Sequence, residues 1–198
     1  MFVTFEGLDG SGKTTQAELL RAHLAAAGRD VVSTREPGGT QLGERIRSLL
    51  LEGAEMSAWA EAALFAAARA ELVEQVIAPA LERGADVICD RYLDSSLAYQ
   101  GIARGLGVDE VLDLNQRVLR GVMPDRTFVL LVDVDESERR VGATTDRIER
   151  AGGDFRRRVD EAYRDLAGRF SERIRPLDAT LPPDEIARAV REDLSIHV

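Results

Sequence analysis

Residues Gly7-Leu8-Asp9-Gly10-Ser11-Gly12-Lys13-Thr14 fit the pattern G-x-x-x-x-G-K-[ST] at every specified position. The pattern describes a loop whose backbone N–H groups wrap phosphate oxygens. Its lysine reaches the outer phosphates and its hydroxyl holds a divalent cation. The flanks turn the pattern into a structural constraint. Phe2 to Phe5 is a short apolar run rich in β-formers. Thr14 to Ala27 reads as a helix with Leu19, Leu20 and Leu24 on one face, and Gly28 stops it. A strand, a glycine loop and a helix in that order put a bound phosphate at a helix N-terminus. Lys13 is the only lysine in the chain, and the other 25 basic residues are arginine. A compact point charge thus stands where a phosphate calls for one.

The remaining chain repeats the strand–helix alternation. Strands are expected at Val31–Thr34, Ala85–Asp90, Thr127–Val132 and, more weakly, Ile174–Asp178. Helices are expected from Gln41 to about Leu51, from the N-cap Ser57 to about Arg83, and over Asp94–Arg104 and Val108–Leu119. Further ones follow an Asp135/Glu138 capping pair, cover Phe155 to about Arg173, and run from Pro182-Pro183-Asp184 to about Leu194. Gly142 to Gly153 is polar and glycine-flanked and reads as a short lid loop. This alternation predicts an α/β domain spanning residues 1–198, with a five-stranded parallel sheet and helices on both faces. Ligands in such sheets bind beyond the carboxyl ends of the strands. The glycine loop, the Arg35 segment and Asp90-Arg91 all follow strand ends, so they are expected to share one crevice.

Composition narrows the function. At 44% hydrophobic and 31% charged, 198 residues suit one well-buried domain. A net charge of -9 argues against non-specific nucleic-acid binding, which needs a basic footprint. Cys89 is the only cysteine, so no intramolecular disulfide or cysteine metal site is available. No secretory leader opens the sequence and no apolar run is long enough for a bilayer, so the cytoplasm is the expected location and no membrane partner is expected.

Three clusters accompany the glycine loop: Arg35-Glu36-Pro37-Gly38-Gly39-Thr40, then Phe65-Ala66-Ala67-Ala68-Arg69, then Asp90-Arg91-Tyr92-Leu93-Asp94-Ser95-Ser96-Leu97-Ala98-Tyr99-Gln100-Gly101. Asp146-Arg147-Ile148-Glu149 follows in the lid. In this order they closely resemble bacterial thymidylate kinases, from Phe2 to about Leu166. The resemblance implies a P-loop NTPase fold, usually in a homodimer. It also implies transfer of the ATP γ-phosphoryl group to dTMP with Mg²⁺.

The resemblance also implies roles. Gly7, Leu8, Asp9, Gly10, Ser11, Gly12, Lys13 and Thr14 would hold the ATP phosphates, with Thr14 on Mg²⁺ and Asp90 on a metal-bound water. Asp9 would face the acceptor nucleotide, and Arg91 would clamp its phosphate bidentately. Glu36 and Pro37 would contribute to the acceptor site. Phe65 would stack on thymine and Arg69 would donate to O4, a contact that rejects the cytosine amino group. Ser96 and Gln100 are candidates for the other polar atoms of the base, and Tyr99 for the sugar. Because Ser11 stands where some relatives carry a loop arginine, the transition-state charge would fall to Arg147, with Arg140 or Arg150 as alternatives. The bland readings are turn chemistry for Asp9, an ion pair for Asp90 and Arg91, and a core Phe65 beside a solvated Arg69. Trp59 belongs to the core or to a dimer interface, and His23 and His197 lack a partner motif.

Three other functions compete. A nucleoside or nucleotide kinase with another acceptor shares the loop and the Asp-Arg segment. A lid-impaired relative would bind nucleotides and turn over poorly. A GTPase-like switch needs an Asn-Lys-x-Asp motif, which a chain whose only lysine is Lys13 does not contain.

Overall fold

The computed structural model describes residues 1–142 and 146–196; His197 and part of the expected lid lie outside them. Among the described residues, five strands form one parallel sheet: β1 (Phe2–Gly7), β2 (Val31–Arg35), β3 (Asp86–Asp90), β4 (Arg126–Leu131) and β5 (Ile174–Asp178). Their spatial order is β2-β3-β1-β4-β5, with β1 at the centre. Register runs Phe5↔Asp90 on one side of β1 and Phe5↔Phe128 on the other. The end of β1 therefore lies level with Asp90. The weak fifth strand is an edge strand, the position that tolerates Pro176.

Side chains alternate across β1. Val3 and Phe5 join Ile88, Phe128, Leu20 and Leu24 in one apolar layer. Helices α1 (Lys13–Ala26) and α9 (Pro183–Asp193) cover that face. Phe2 joins Val87, Cys89 and Val129 on the other face. There α5 (Leu93–Ser96) and α8 (Gly153–Arg169) pack on the sheet. Burial on both faces is why β1 and β3 read as largely apolar runs.

The helix expected from Ser57 to Arg83 is divided. Helix α3 (Ala58–Leu72) is capped by Ser57, whose hydroxyl accepts from the Ala60 N–H at 3.2 Å. A π-helical turn, Val73–Ile77, leads into α4 (Ala78–Glu82). Pro79 has no N–H for the carbonyl four residues back, and the wider turn is where the ladder adjusts. A second π-helical segment, Leu97–Ala103, continues α5 and leads to α6 (Val108–Leu119). The cap of α7 (Val134–Val141) is Asp133, which accepts from the Asp135 N–H at 2.9 Å, rather than the expected Asp135/Glu138 pair. A stable cap needs an extended residue directly before the first turn, and Asp133 holds that place.

Candidate active site

The glycine loop leaves β1 at the middle of the sheet and ends at the first turn of α1. Gly10 has φ +79° and lies against α7, where an added Cβ would stand 2.8 Å from the Ser137 carbonyl and 2.7 Å from Val141. Ser137 Oγ also donates to the Asp9 carbonyl at 2.6 Å. The loop is thus clamped between two helices. Lys13 is only 6% exposed, and its Nζ donates to the Leu8 carbonyl at 2.8 Å and reaches Asp9 Oδ1 at 3.5 Å. Burial, together with the nearby Arg91 charge, pushes its pKa down to about 8 against the pull of Asp9, Asp90 and Glu6.

Thr14 Oγ1 donates to Asp90 Oδ2 at 2.6 Å, joining the first turn of α1 to the end of β3. One residue on, Arg91 has φ +68°, a conformation that costs a non-glycine residue about 1–3 kcal/mol. The strained backbone sends its guanidinium into a network. Nη2 bonds Asp9 Oδ1, and Nη1 donates to Ser95 Oγ and Tyr163 Oη, each at 3.2 Å. Ser95 Oγ and Tyr163 Oη in turn donate to the buried Glu6 carboxylate at 2.5 and 3.0 Å. Burial, reinforced by Asp94, pushes the Glu6 pKa up to about 7 even beside Arg91. Glu6, Ser95 and Tyr163 escaped the sequence reading; an acidic residue inside an apolar strand run was the available signal.

Two crevices open here. The larger, about 1190 Å³, is walled by Gly10, Gly12, Lys13, Thr14, Asp90 and Arg140, among others. The smaller is walled by Pro37, Leu51, Phe65, Ser95, Tyr99, Gln100 and Ile148, among others, a mixed apolar and polar lining suited to a small molecule. Asp9, Glu36, Arg47, Arg91 and Asp146 border both, so the two form one continuous cleft. Arg47 was missed in the sequence. It lies on α2 (Gln41–Glu52), one turn after the buried Gly43, and its Nη1 donates to the Pro37 carbonyl at 3.0 Å. An arginine on the same helical face as Gly43 and Leu50 was the legible signal. Arg35 also faces the larger crevice.

Other expected residues stand further back. Arg69 is 1% exposed and lines neither crevice. Its Nε and Nη2 donate to Glu36 at 2.9 and 2.5 Å, Nη2 also to the Tyr92 carbonyl and Ser96 Oγ, and Nη1 to Asn115 Oδ1 at 2.6 Å. It is a buried charge with a buried partner, not a solvated surface residue. Burial pushes the Glu36 pKa up to about 7 in spite of Arg69. Ser96 backs Arg69, and its neighbour Ser95 takes the place in the wall. The structure does not bring Arg147 to the cleft either. It is 2% exposed, donates from Nη2 to Glu61 at 2.7 Å and from Nε to the Leu50 carbonyl at 2.9 Å. Releasing a charge so paired costs about 3–5 kcal/mol.

The family model for "Thymidylate kinase" matches residues 5–190. The chain belongs to the thymidylate kinase family. The thymidylate kinase of Bifidobacterium longum is 49% identical over 199 residues, covering 98% of this chain and 97% of the relative. That of Pelotomaculum thermopropionicum is 51% identical over 184 residues, covering 90% and 85%. The crystal structure of the thymidylate kinase from Ehrlichia chaffeensis superposes with a TM-score of 0.81 at 36% identity, covering 98% of both chains. The P-loop NTPase-type α/β fold is thereby established for this member of the family.

Proposed function

We propose that the chain transfers the γ-phosphoryl group of ATP to dTMP, giving dTDP and ADP. The observation that carries this reading is the continuous cleft, with Lys13 and Thr14 at one end and Phe65, Tyr99 and Gln100 at the other. Asp9 and Arg91 stand at the junction, where an acceptor phosphate has to meet a donor phosphate. Its walls supply positioning and positive charge, which is most of what phosphoryl transfer to an anionic oxygen requires. Gly7 to Thr14 hold the ATP phosphates. Arg91 and Arg47 receive the dTMP phosphate. Phe65 packs on the base, Tyr99 borders the sugar, and Arg69 acts on the base edge together with its partner Glu36.

The hard oxygen donors Thr14 Oγ1 and Asp90 Oδ2, 2.6 Å apart beside the phosphate loop, fit Mg²⁺. Thr14 would hold the ion directly and Asp90 through water. Mg²⁺ bound there neutralises phosphate charge and orients the phosphates. Arg140 lines the larger crevice and abuts Gly10 of the phosphate loop, so we assign the developing charge to it, with Arg147 buried against Glu61. We place the enzyme in the cytoplasm, with residues 1–198 as one domain. A homodimer is supported by the apolar side chains left outside on α2 and α3. Leu49 is 55% and Trp59 50% exposed, which takes Trp59 out of the core. Light scattering at micromolar concentration tests the dimer.

Coupled ADP release with dTMP, dUMP, dCMP, dGMP and thymidine tests the activity. The expected result is the highest kcat/KM with dTMP and no turnover of thymidine. Equal rates with all four nucleotides would sink the substrate assignment.

A further inference from the structure

Glu61 lies on α3, is 1% exposed, and borders neither crevice. Its carboxylate collects three side chains. Oε1 accepts from Gln100 Nε2 at 2.8 Å, Oε2 accepts from Arg147 Nη2 at 2.7 Å, and Arg104 donates to both oxygens at 3.2–3.3 Å. Burial alone would raise the pKa of this group. The Gln100 and Arg147 hydrogen bonds and the Arg104 charge outweigh it and hold the carboxyl below its ordinary range. An ionised carboxylate only accepts hydrogen bonds. The Gln100 amide is therefore fixed with its NH₂ group toward Glu61. Its carbonyl oxygen takes no hydrogen bond from the described residues, and Gln100 is part of the acceptor wall.

We infer that Glu61 is a specificity-determining positioning residue, which by locking the Gln100 amide turns an acceptor toward the base, with Arg147 holding Glu61 in place. An acceptor there pairs with the N3–H of thymine or uracil and faces the bare N3 lone pair of cytosine, leaving two acceptors opposed. The inference rests on the reading that the smaller crevice takes the dTMP base. It gives Arg147 a task behind the base, away from the transferred phosphoryl group.

The test is kcat/KM for dTMP, dUMP and dCMP in E61Q, R147K and Q100A. In E61Q two facing amides satisfy each other in either orientation, so the lock is lost. The dTMP:dCMP preference is expected to fall about tenfold or more, mainly through KM for dTMP. The dTMP:dUMP ratio and KM for ATP are expected to stay unchanged. R147K keeps the charge and loses the fork, so the same preference is expected to fall about threefold with kcat retained. It carries the test should E61Q fail to fold. An equal loss for all three acceptors would overturn the inference by reducing Glu61 to a structural role. So would a hundredfold fall in kcat of R147K at unchanged KM for dTMP. Q100A separates the two levels. If Q100A loses the dCMP discrimination while E61Q and R147K keep it, the inference alone fails. If Q100A leaves KM for dTMP unchanged, the base-site reading fails with it.

Discussion

Lys13 meets its phosphate from a buried position, and the cost of that burial sets a pH limit. Its pKa is lowered to about 8, from an ordinary value of 10.5. Below pH 8 the ammonium is already charged when ATP arrives. Above pH 8 it is neutral, and binding must draw a proton from solution. KM for ATP is therefore expected to rise as pH passes 8, by about tenfold per unit at the steepest, while KM for dTMP changes less. Initial-rate measurements between pH 7 and 9.5 check this, and a flat KM for ATP would contradict it. Arg140 defines the second expectation at this scale. It lines the phosphate crevice, and its guanidinium is held by Glu136 at 2.8 Å and by the Ala179 carbonyl at 3.1 Å. Arg140→Ala is expected to lower kcat at least about a hundredfold, as loss of a transition-state arginine does. dTMP binding followed by calorimetry is expected to hold.

Helix α2 shows how an element positions chemistry it does not itself perform. Thr40 caps it, accepting from the Gly43 N–H at 2.9 Å, and α2 then carries Arg47 to the cleft. Thr40→Ala is expected to cost about 1 kcal/mol and lower Tm by roughly 2–4 °C. It is also expected to raise KM for dTMP through Arg47 while leaving KM for ATP near normal, as melting curves and kinetics would show. The π-helical segment Leu97–Ala103 does similar positioning. Arg104 N–H bonds the Tyr99 carbonyl five residues back, and Gly107 N–H reaches Gly101. The widened turn lets the consecutive Tyr99 and Gln100 both face the crevice beside Ser95. No residue there announces it, whereas the first π-helical turn is followed by Pro79, a signal passed over in expecting one helix from Ser57 to Arg83.

At the scale of the whole molecule, a buried charge pair ties the sheet to the site. Asp94 is fully buried, and Arg173, just before β5, grips it with two bonds of 2.5 and 2.8 Å, joined by Thr127 on β4. Arg173→Met leaves Asp94 uncompensated and is expected to cost about 3–5 kcal/mol in urea denaturation. Asp94 stands one residue from Ser95, so loosening there also reaches Arg91. The local sequence determined the glycine loop, the strand–helix alternation, the Ser57 cap and the crevice shared by Lys13, Thr14, Asp90 and Arg91. Each depends on spacing within one segment: an apolar run, a capping residue, glycines at positive φ. The tertiary structure decided which charges are buried against carboxylates. Arg69 and Arg147 match substrate-facing motifs, yet both are buried against carboxylates more than thirty residues away, Glu36 and Glu61. Arg47 and Arg140, plain in the sequence, stand on the cleft. Which arginine is desolvated and paired depends on what the fold packs around it, and no spacing along one segment records that.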